Sequence, residues 1–437
     1  MIADPQQTRR VLAPALFLAF VLLSLWKVSP LLPPGRFWAE EGTYFAPAIW
    51  SAPGLEGLRF LFQGHLQLVT NLLVWLAGQV PLAVAPAVTT LGTLALQWGA
   101  AALLVFPARR LGLSAGGCAL VLAAMLMITP SEVWANATNA HFHTAVIAGL
   151  LLALPCGSRG EQGARLALLA LCGFSGVPAN FLGPFFLLRA LLERDRARGA
   201  EAAVLLLTAS VQLVLIMLNR DAVTGRDFAL EASLLLVPLA KIAAYPLLDG
   251  IALDWSLARL TDLRDGDLRL IWLPLLLLLP HAALGWAAWR QGNLAALLML
   301  ATAFFSAILS TFLALGSPEE YLTVPSAAAR YYHAPLVFLV LAAALVAGRQ
   351  PAPWLFLALL CWFLHPVTGL FYLLGLALRR IWAPAAAVVA GLWLLVFLQQ
   401  LPMPVVGPAW APALAAREGN IVAIWPTGWE IALPPGY

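Results

Sequence analysis

The sequence predicts an all-α fold, a polytopic transmembrane helical bundle with about 11–13 membrane segments. Three observations predict this fold class. Hydrophobic residues make up 62% of the 437 residues, which exceeds the roughly 50% of soluble globular domains. Charged residues account for only 11%, and the mean hydropathy is +0.87. Many separate apolar runs also approach the ~20 residues that a helix needs to cross a bilayer.

The first element is an apolar run that follows Arg9 and Arg10. It is longer than the core of a signal peptide and has no clear small-residue cleavage site, so it is predicted to be an uncleaved anchor. With it, thirteen crossings are predicted, at 11–32, 85–106, 112–130, 143–156, 165–176, 179–192, 202–218, 269–289, 294–315, 334–348, 353–364, 369–378 and 382–400. They form a transmembrane domain over residues 1–400, with a first outer loop at 33–84. Residues 401–437 form an outer-face C-terminal tail.

Some of these crossings are too short to span a bilayer. Broken or re-entrant helices are predicted where a run has fewer than ~17 residues, at 165–176, 179–192, 353–364 and 369–378. Gly or Pro residues at 175–178 and 365–366 mark the breaks. The stretch 67–80 is predicted to be an interfacial helix. The stretch 229–253, which carries charged residues, is predicted to lie at the interface or to form a re-entrant pair.

The charges orient the bundle. With the N-terminus in the cytoplasm, 14 Lys or Arg residues and 5 Asp or Glu residues lie inside. The outside then holds 11 Lys or Arg residues and 16 Asp or Glu residues. The net charges of +9 inside and −5 outside satisfy the positive-inside rule and place the C-terminus outside. The basic run from Arg189 to Arg198 is interpreted as a cytoplasmic orientation signal. No basic cluster is interleaved with base-stacking aromatic residues, which argues against nucleic acid as a partner.

The acidic pair Glu40-Glu41 is the first candidate site. It follows the first crossing in a chain with few charges, and carboxylates at a bilayer boundary are costly unless they are solvated or paired. Trp38 and Tyr44 flank the pair. Either acid could act as a general base toward a hydroxyl acceptor, or as a metal ligand. The alternative is a solvated loop pair with no chemical task.

A second candidate lies in the segment 134–143, which is predicted to begin as a loop and continue as a helix. Asn136, Asn139 and His143 are predicted to share one helical face, through i+3 and i+4 neighbours, that could hydrogen-bond a sugar or phosphate. His141 and His143 form a His-x-His pair, which is a weak metal signal because no local Asp or Cys completes a site. The alternative is a polar helix cap with satisfied histidines.

A third candidate, Arg330 with Tyr331, lies at the outer mouth of crossing 334–348. The guanidinium offers a planar donor fork for phosphate oxygens, whereas tyrosines also anchor helices at the headgroup level. Glu132 belongs to the polar residues of the same outer face and has no assigned role. The outer tail segment from Trp425 to Trp429 could fold over an outer cavity or rest at the interface.

These features resemble the GT-C class of integral-membrane glycosyltransferases, which pair an acidic motif in the first outer loop with many helices. The resemblance rests on Glu40-Glu41, with further support from Asn139-x-His141 and Arg330-Tyr331, and it covers most of the chain as architecture. It implies transfer of a sugar from a polyprenyl-phosphate donor to an acceptor hydroxyl on a glycan, lipid or protein. The implied location is the outer (periplasmic) face of a bacterial inner membrane.

The resemblance also assigns roles to residues. Glu40 and Glu41 would be catalytic, and the substrate-binding residues would be Asn136, Asn139, His141, His143, Arg330 and Tyr331. The class usually carries an Asp in its acidic pair, whereas both acids here are Glu. A divalent cofactor such as Mg²⁺ or Mn²⁺ is therefore left open.

Two other functions stand as alternatives. A transporter or flippase of lipid-linked sugars would carry ionisable residues along a path near the middle of the membrane, where the sequence places mainly His281, with the amides Gln97 and Gln212. A polysaccharide polymerase or ligase would centre on outer-loop Arg and His residues rather than on the first-loop acids.

Overall fold

The structure is a computed structural model that describes residues 5–33, 35–128, 130–223, 232–245, 250–314, 321–322, 324, 328–348 and 401–435. These residues are mostly helical. The α-helices are α1 (Pro5–Lys27), α2 (Ala46–Ser51), α3 (Leu68–Ala77), α4 (Ala85–Val105), α5 (Ala108–Leu111), α6 (Ala115–Met127), α7 (Ala140–Ala153), α8 (Arg159–Phe174), α9 (Val177–Asn180), α10 (Gly183–Glu193), α11 (Arg196–Leu218), α12 (Leu236–Leu239), α13 (Gly250–Arg264), α14 (Trp272–Arg290), α15 (Leu294–Ala314), α16 (Ala329–Ala347) and α17 (Trp410–Ala415). Short 3-10 helices lie at Ser29–Leu31, Glu56–Arg59, Leu82–Val84, Arg220–Ala222, Ala232–Leu235 and Leu268–Leu270, and π-helical turns at Glu41–Phe45 and Ala240–Ala244. The strands β1 (Leu61–Phe62) and β2 (His65–Leu66) form one antiparallel hairpin, and β3 (Ile421–Ile424) and β4 (Trp429–Ala432) form another.

Each crossing predicted between residues 11 and 348 contains one of these helices, namely α1, α4, α6, α7, α8, α10, α11, α14, α15 and α16. Among the described residues, five stretches are long and apolar enough to cross a membrane, Leu82–Val105, Arg196–Leu218, Leu268–Arg290, Leu294–Leu313 and Ala329–Ala347. α1, α6 and α7 contain shorter apolar helices. The predicted crossings 353–364, 369–378 and 382–400, with the break at 365–366, lie outside the described residues. Together the apolar helices suggest a membrane protein.

The stretches predicted to lie at the interface are partly helical. The stretch 67–80 contains α3, which packs against α4. Within 229–253, the described residues form α12, a π-helical turn and the start of α13. The first outer loop, 33–84, is therefore largely ordered by short helices and the β1–β2 hairpin.

The long helices differ in what they expose. α11 and α14 present exposed large apolar side chains, among them Leu207, Leu213, Leu275 and Trp286. By contrast, α16 is buried along almost its whole length and packs against α6, α7, α14 and α15. Large apolar faces are rarely left to water. α11 and α14 therefore suit contact with lipid, whereas α16 forms the centre of the bundle.

A sharp break separates α8 from α10, as predicted from the Gly and Pro residues at 175–178. α8 ends at Phe174, and Gly176 adopts a φ of +139° just before α9. Residues with a side chain rarely adopt this φ, and a Cβ at Gly176 would come within 2.8 Å of the Cβ of His141. The break therefore requires glycine, and it lies against the start of α7.

Three buried arginines enclose the C-terminal end of α7. We call Arg165, Arg189 and Arg198 the arginine clamp, because they reach from α8, α10 and α11 to the same turn. Arg165 and Arg198 donate to the carbonyls of Leu151 and Leu154, and Arg189 donates to that of Leu152. The last carbonyls of a helix have no partner inside it and carry a partial negative charge. The clamp supplies both the donors and the positive charge.

Two glutamates balance the arginine clamp. Glu201 is fully buried and accepts from Arg165 Nε at 2.5 Å and from Arg198 Nη1 at 2.9 Å. Glu193 is partly exposed and lies 2.8 Å from Arg189 and 3.3 Å from Arg198. Part of the basic run that was interpreted as an orientation signal is therefore also a buried structural element.

The basic residues assigned to the cytoplasm meet at one end of the bundle. Arg110 pairs with Glu161 at 2.8 Å, and Glu161 also lies 3.9 Å from Arg165 of the clamp. These contacts join the basic positions 109–110, 159–165 and 189–198 at the C-terminal end of α7. The N-terminal end of α7 lies at the opposite end of the bundle.

The C-terminal tail folds onto the first loop. The backbone N–H of Trp425 donates to the carbonyl of Phe37 at 3.2 Å, and that of Ala39 donates to the carbonyl of Trp425 at 2.5 Å. The hydroxyl of Thr43 donates to the carbonyl of Glu430 at 2.6 Å. The β3–β4 hairpin of the tail, like β1–β2, is an exception to the all-α prediction.

Candidate functional site

The two adjacent acids of the first loop have different surroundings. Ala39 precedes them with a φ of +33°, and Glu41 opens the π-helical turn that ends at Phe45. Glu41 is fully buried, whereas the side chain of Glu40 is 18% exposed. The alternative of a solvated pair is therefore wrong for Glu41.

Glu41 joins the first loop to the segment 130–139. Its Oε2 accepts from the backbone N–H of Ala137 at 3.2 Å. Burial raises the pKa of Glu41 to about 7, while hydrogen bonds from Thr89 and Ala137 and the charge of Arg36 act in the opposite direction. Near neutral pH this carboxyl group is therefore close to half ionised.

Glu40 faces Arg330 and Glu132. Arg330 Nη1 lies 3.9 Å from Glu40 Oε1 and 3.6 Å from Glu132 Oε2. The backbone N–H of Arg330 donates to Glu132 Oε1 at 3.2 Å. The structure thus brings together two predicted site residues that are distant in the sequence. It adds Glu132, which the sequence analysis left without a role. We call Glu40, Glu132 and Arg330 the acid–arginine cluster.

The acid–arginine cluster contains two acids and one base. Burial raises the pKa of Glu132, while Arg330 lowers it and Glu40 raises it further. The guanidinium of Arg330 also lies over the ring of Tyr331, 5.2 Å from its centre. Among the described residues, Glu40 Oε2 is buried and has no hydrogen-bond partner. Such oxygens are uncommon, and this one can accept a hydrogen bond from a hydroxyl group.

Asn136 and Asn139 do not form the predicted helical face with His143. α7 begins only at Ala140, with Asn139 as its N-cap and Asn136 in the preceding turn. Both amides are buried and donate to the carbonyl of Glu132, at 2.5 and 2.7 Å. Asn136 Oδ1 accepts from the backbone N–H of Asn139 at 3.0 Å. Short amide side chains often bind nearby backbone in this way. The two residues therefore fix the turn that carries Glu132.

His141 and His143 face different parts of the protein. His143 is buried, with its Nε2 2.8 Å from Gln97 Nε2 and 3.1 Å from the carbonyl of Val133. Its ring packs against that of His333, with centres 5.4 Å apart. The alternative of a satisfied histidine therefore fits His143. His141 instead lines a cavity.

A cavity of about 410 Å³ adjoins the acid–arginine cluster. It lies between α9, α11, α15 and the start of α16, and His65, His141 and Tyr331 contribute polar groups to it. Most of its lining is apolar, including Val177, Phe181, Leu213, Ile216, Leu309 and Leu313. Leu213 and Leu313 are also exposed on the outside of the bundle. The cavity therefore begins one residue from Arg330 and reaches the apolar outer surface.

Three alanines beside the site have a left-handed backbone. They are Ala39 (φ +33°), Ala135 (φ +53°) and Ala328 (φ +56°). Each one lies within two residues of a predicted site residue, Glu40, Asn136 or Arg330. This conformation is costly for a residue with a side chain and concentrates at functional sites. An alanine in a sequence gives no signal of it.

Arg36 also borders the site, and the sequence analysis did not include it. It is 2% exposed, and its guanidinium lies between the rings of Trp38, at 4.2 Å, and Trp425, at 5.0 Å. Its Nη2 donates to the carbonyls of Ser131 at 3.1 Å and Trp134 at 2.8 Å. A single Arg after a predicted crossing gives no sequence signal for this arrangement.

The side chains of the cluster do not fit a metal ion. In the part of the chain that the structure describes, no three His, Cys, Asp or Glu side chains come close enough to hold one. The guanidinium of Arg330 already supplies a positive charge between Glu40 and Glu132. The Mg²⁺ or Mn²⁺ that the resemblance leaves open therefore has no ligand set among these residues.

No protein-family model, no curated protein and no solved structure matches this chain. The resemblance to the GT-C class therefore rests on the quoted residues and on the helical architecture alone.

Proposed function

We propose that this chain is a membrane glycosyltransferase of GT-C type that moves a sugar from a polyprenyl-phosphate donor to an acceptor hydroxyl. The acceptor is a glycan, lipid or protein at the outer (periplasmic) face of a bacterial cytoplasmic membrane, and the product belongs to the cell envelope. The observation that carries the proposal is the side chain of Glu40, which is 18% exposed whereas Glu41 is fully buried, and which lies 3.9 Å from Arg330. It lies beside Arg330 and next to an apolar cavity, so a proton acceptor, a cation and a lipid-sized space adjoin one another.

Glu40 is the proposed general base. Its carboxylate, on a side chain that is 18% exposed, takes the proton of the acceptor hydroxyl while the acceptor oxygen forms a bond to the anomeric carbon of the donor sugar. The bond from that carbon to the phosphate oxygen breaks, and its electron pair leaves with polyprenyl phosphate. A single displacement of this kind inverts the anomeric configuration. Glu41 is enclosed by protein, so we assign it to positioning the first loop rather than to proton transfer.

Arg330 is the proposed partner of the departing phosphate. It lies between Glu40 and Tyr331, and Tyr331 lines the cavity. Charge-assisted bonds to phosphate are about twice as strong as neutral ones.

The cavity is the proposed place for the first part of the isoprenoid chain. Its apolar lining suits a hydrocarbon, and two of the lining residues, Leu213 and Leu313, are exposed. His141 remains a candidate for contact with the sugar, because it lies on the same cavity. We assign a positioning role, without contact to the substrate, to Asn136, Asn139 and His143.

The donor class can be tested by mass spectrometry of lipids that co-purify with the protein in mild detergent. We expect a polyprenyl-phosphate sugar, together with transfer of its sugar to an added acceptor. A bound lipid-linked sugar that crosses vesicle membranes without forming a new glycosidic bond would instead favour a flippase. A preparation with neither a bound lipid nor transfer would contradict the proposal.

The role of Glu40 can be tested by Glu40→Gln, which keeps the size of the side chain but cannot take a proton. We expect the transfer rate to fall by about 10²-fold or more, the usual contribution of a general base. Glu56→Gln is the matched control, because Glu56 is an exposed acid of the same loop region. Transfer by Glu40→Gln at the parental rate would remove Glu40 as the base and favour a polymerase or ligase centred on Arg and His.

A further inference from the structure

We infer that the C-terminal hairpin is a functional part of the site, because Trp425 holds Arg36 in place and Arg36 positions the turn that carries Glu132. We call Trp38, Arg36 and Trp425 the Trp–Arg sandwich. The effect of the Trp–Arg sandwich on catalysis rests on the proposed function. The positions of its three residues are independent of that function.

The hairpin is attached to the protein on several sides. Trp425 exchanges backbone hydrogen bonds with Phe37 and Ala39, and its indole Nε1 donates to the carbonyl of Pro408 at 2.5 Å. The indole Nε1 of Trp410 donates to the carbonyl of Leu82 at 2.9 Å. The ring of Trp425 is therefore fixed from both its own chain segment and the first loop.

Arg36 is held through its backbone N–H and through one guanidinium nitrogen, Nη2. Its backbone N–H lies 3.3 Å from the hydroxyl of Thr90 on α4. The preceding Gly35 has a φ of +102°, and its Cβ would lie 2.7 Å from the carbonyl oxygen of Pro86. The centre of the guanidinium lies 4.2 Å from the ring centre of Trp38 and 5.0 Å from that of Trp425, and such cation–π contacts are strengthened when the cation is desolvated.

Those two carbonyls belong to the turn on which Glu132 lies. Ser131 and Trp134 accept from Arg36, and the carboxylate of Glu132 between them accepts from the backbone of Arg330. A continuous set of contacts thus leads from the tail, through Arg36, to the acid–arginine cluster. Trp425 and Arg36 act through Glu132, so they are positioning residues.

Hydrogen exchange of the full-length protein in detergent tests this chain of contacts without any assay of activity. In Trp425→Leu, which removes the aromatic ring, we expect amides of residues 130–139 to exchange at least ~10-fold faster. In Trp425→Phe, which keeps a ring over Arg36, exchange should remain near the parental rate. Trp429→Leu is the matched control on the same hairpin, and it should leave residues 130–139 protected.

Arg36→Lys provides an independent arm if Trp425→Leu fails to fold. It keeps the charge but loses the planar donors, so residues 130–139 should again exchange faster while the strands at 421–432 stay protected. Unchanged protection of 130–139 in both Trp425→Leu and Arg36→Lys would overturn the inference.

Kinetics add a second readout. Trp425→Leu should lower kcat by roughly 10- to 100-fold, which is the scale of a small misplacement of reacting groups. The KM for the donor should stay within about twofold of the parental value. Trp425→Phe should restore most of kcat. An equal loss in Trp425→Leu and Trp425→Phe would contradict positioning through the ring. If the parental protein transferred no sugar, the proposed function would fail while the exchange result would still decide the inference.

Discussion

The carboxyl group of Glu41 is enclosed by protein, so its ionisation costs free energy that its hydrogen bonds only partly offset. Its pKa is about 7 in the folded protein, against 4.5 for an ordinary Glu. Below about pH 4.5 the carboxyl group of Glu41 is protonated in both the folded and the unfolded state, and its contribution to stability is fully present. Between pH 4.5 and 7 the unfolded state releases the proton first, so stability falls as the pH rises. Above about pH 7 the loss is complete.

Glu41→Gln should therefore remove a pH dependence of stability. A shift of this size corresponds to about 3 kcal/mol at most. Thermal unfolding in one detergent should show the parental protein losing more stability between pH 5 and pH 8 than Glu41→Gln does. Glu56→Gln, at an exposed position, should behave like the parent. If the stability of the parent and of Glu41→Gln depended on pH in the same way, ionisation of the Glu41 carboxyl group would not lower the stability of the folded protein.

Arg330 holds two carboxylates together, and its removal should change their titration. In Arg330→Ala the two acids lose their cation and repel each other, so their protonated forms become favoured and their pKa values rise. The acid limb of the pH–rate profile for sugar transfer should therefore move to higher pH. Arg330→Lys keeps the positive charge, so it should move the acid limb of the profile less than Arg330→Ala does. A profile that stays in place in Arg330→Ala would separate Glu40 from the rate-determining proton transfer.

Single residues of the site were predictable, but their contacts were not. Glu40 and Arg330 stand out in the sequence because the chain carries few charges. Their pairing depends on which loops meet at one end of the bundle, and hydropathy contains no information about that. Glu41 was expected beside Glu40, yet the π-helical turn directs the two neighbours to different surroundings. Arg36 and Glu132 act through buried contacts that no short motif reports.

At the scale of the helix, the arginine clamp makes α7 dependent on charges from three other helices. Glu201→Gln should destabilise the protein by about 3–5 kcal/mol, because it leaves Arg165 and Arg198 without their buried counter-charge. The expected measurement is a clear drop in the melting temperature in detergent.

Glu193→Gln is the matched control for this prediction. Glu193 contacts two of the same arginines but is partly exposed, so its removal should cost ~1 kcal/mol or less. Equal melting temperatures of the two variants would mean that the clamp is solvated in the membrane-bound protein.

The sequence predicts these elements well where one physical rule dominates. Long apolar runs favour helices in a bilayer, and each crossing predicted between 11 and 348 overlaps a helix, whereas five helices of the described residues are long and apolar enough to span a membrane. The Gly and Pro residues at 175–178 likewise break the chain as expected. The prediction was wrong for Asn136 and Asn139, because their short amides bind the backbone of the turn and delay the start of α7 until Ala140.

For the whole molecule, we predict that the two ends of the bundle face opposite sides of the membrane. In a variant whose native cysteines are replaced by Ala, Leu55→Cys tests the end with the candidate site and Gly160→Cys the end with the clamp. Leu55 is 63% exposed, and Gly160 has open space around it. A membrane-impermeant thiol reagent added to intact cells should label residue 55, and residue 160 only after lysis. The reverse pattern would move the proposed site to the cytoplasm.

The docking of the tail on the first loop also sets the order in which the protein can mature. Thr43 and Glu430 touch across 387 positions of the chain, so the first loop is synthesised and translocated long before its partner leaves the ribosome. During that interval Arg36 has one indole instead of two, and the turn with Glu132 is held less firmly. A chain whose tail has not yet been synthesised therefore lacks the contact of Trp425 with Arg36, which helps to position Glu132. Under the proposed function, sugar transfer would begin only after the tail has docked on the first loop.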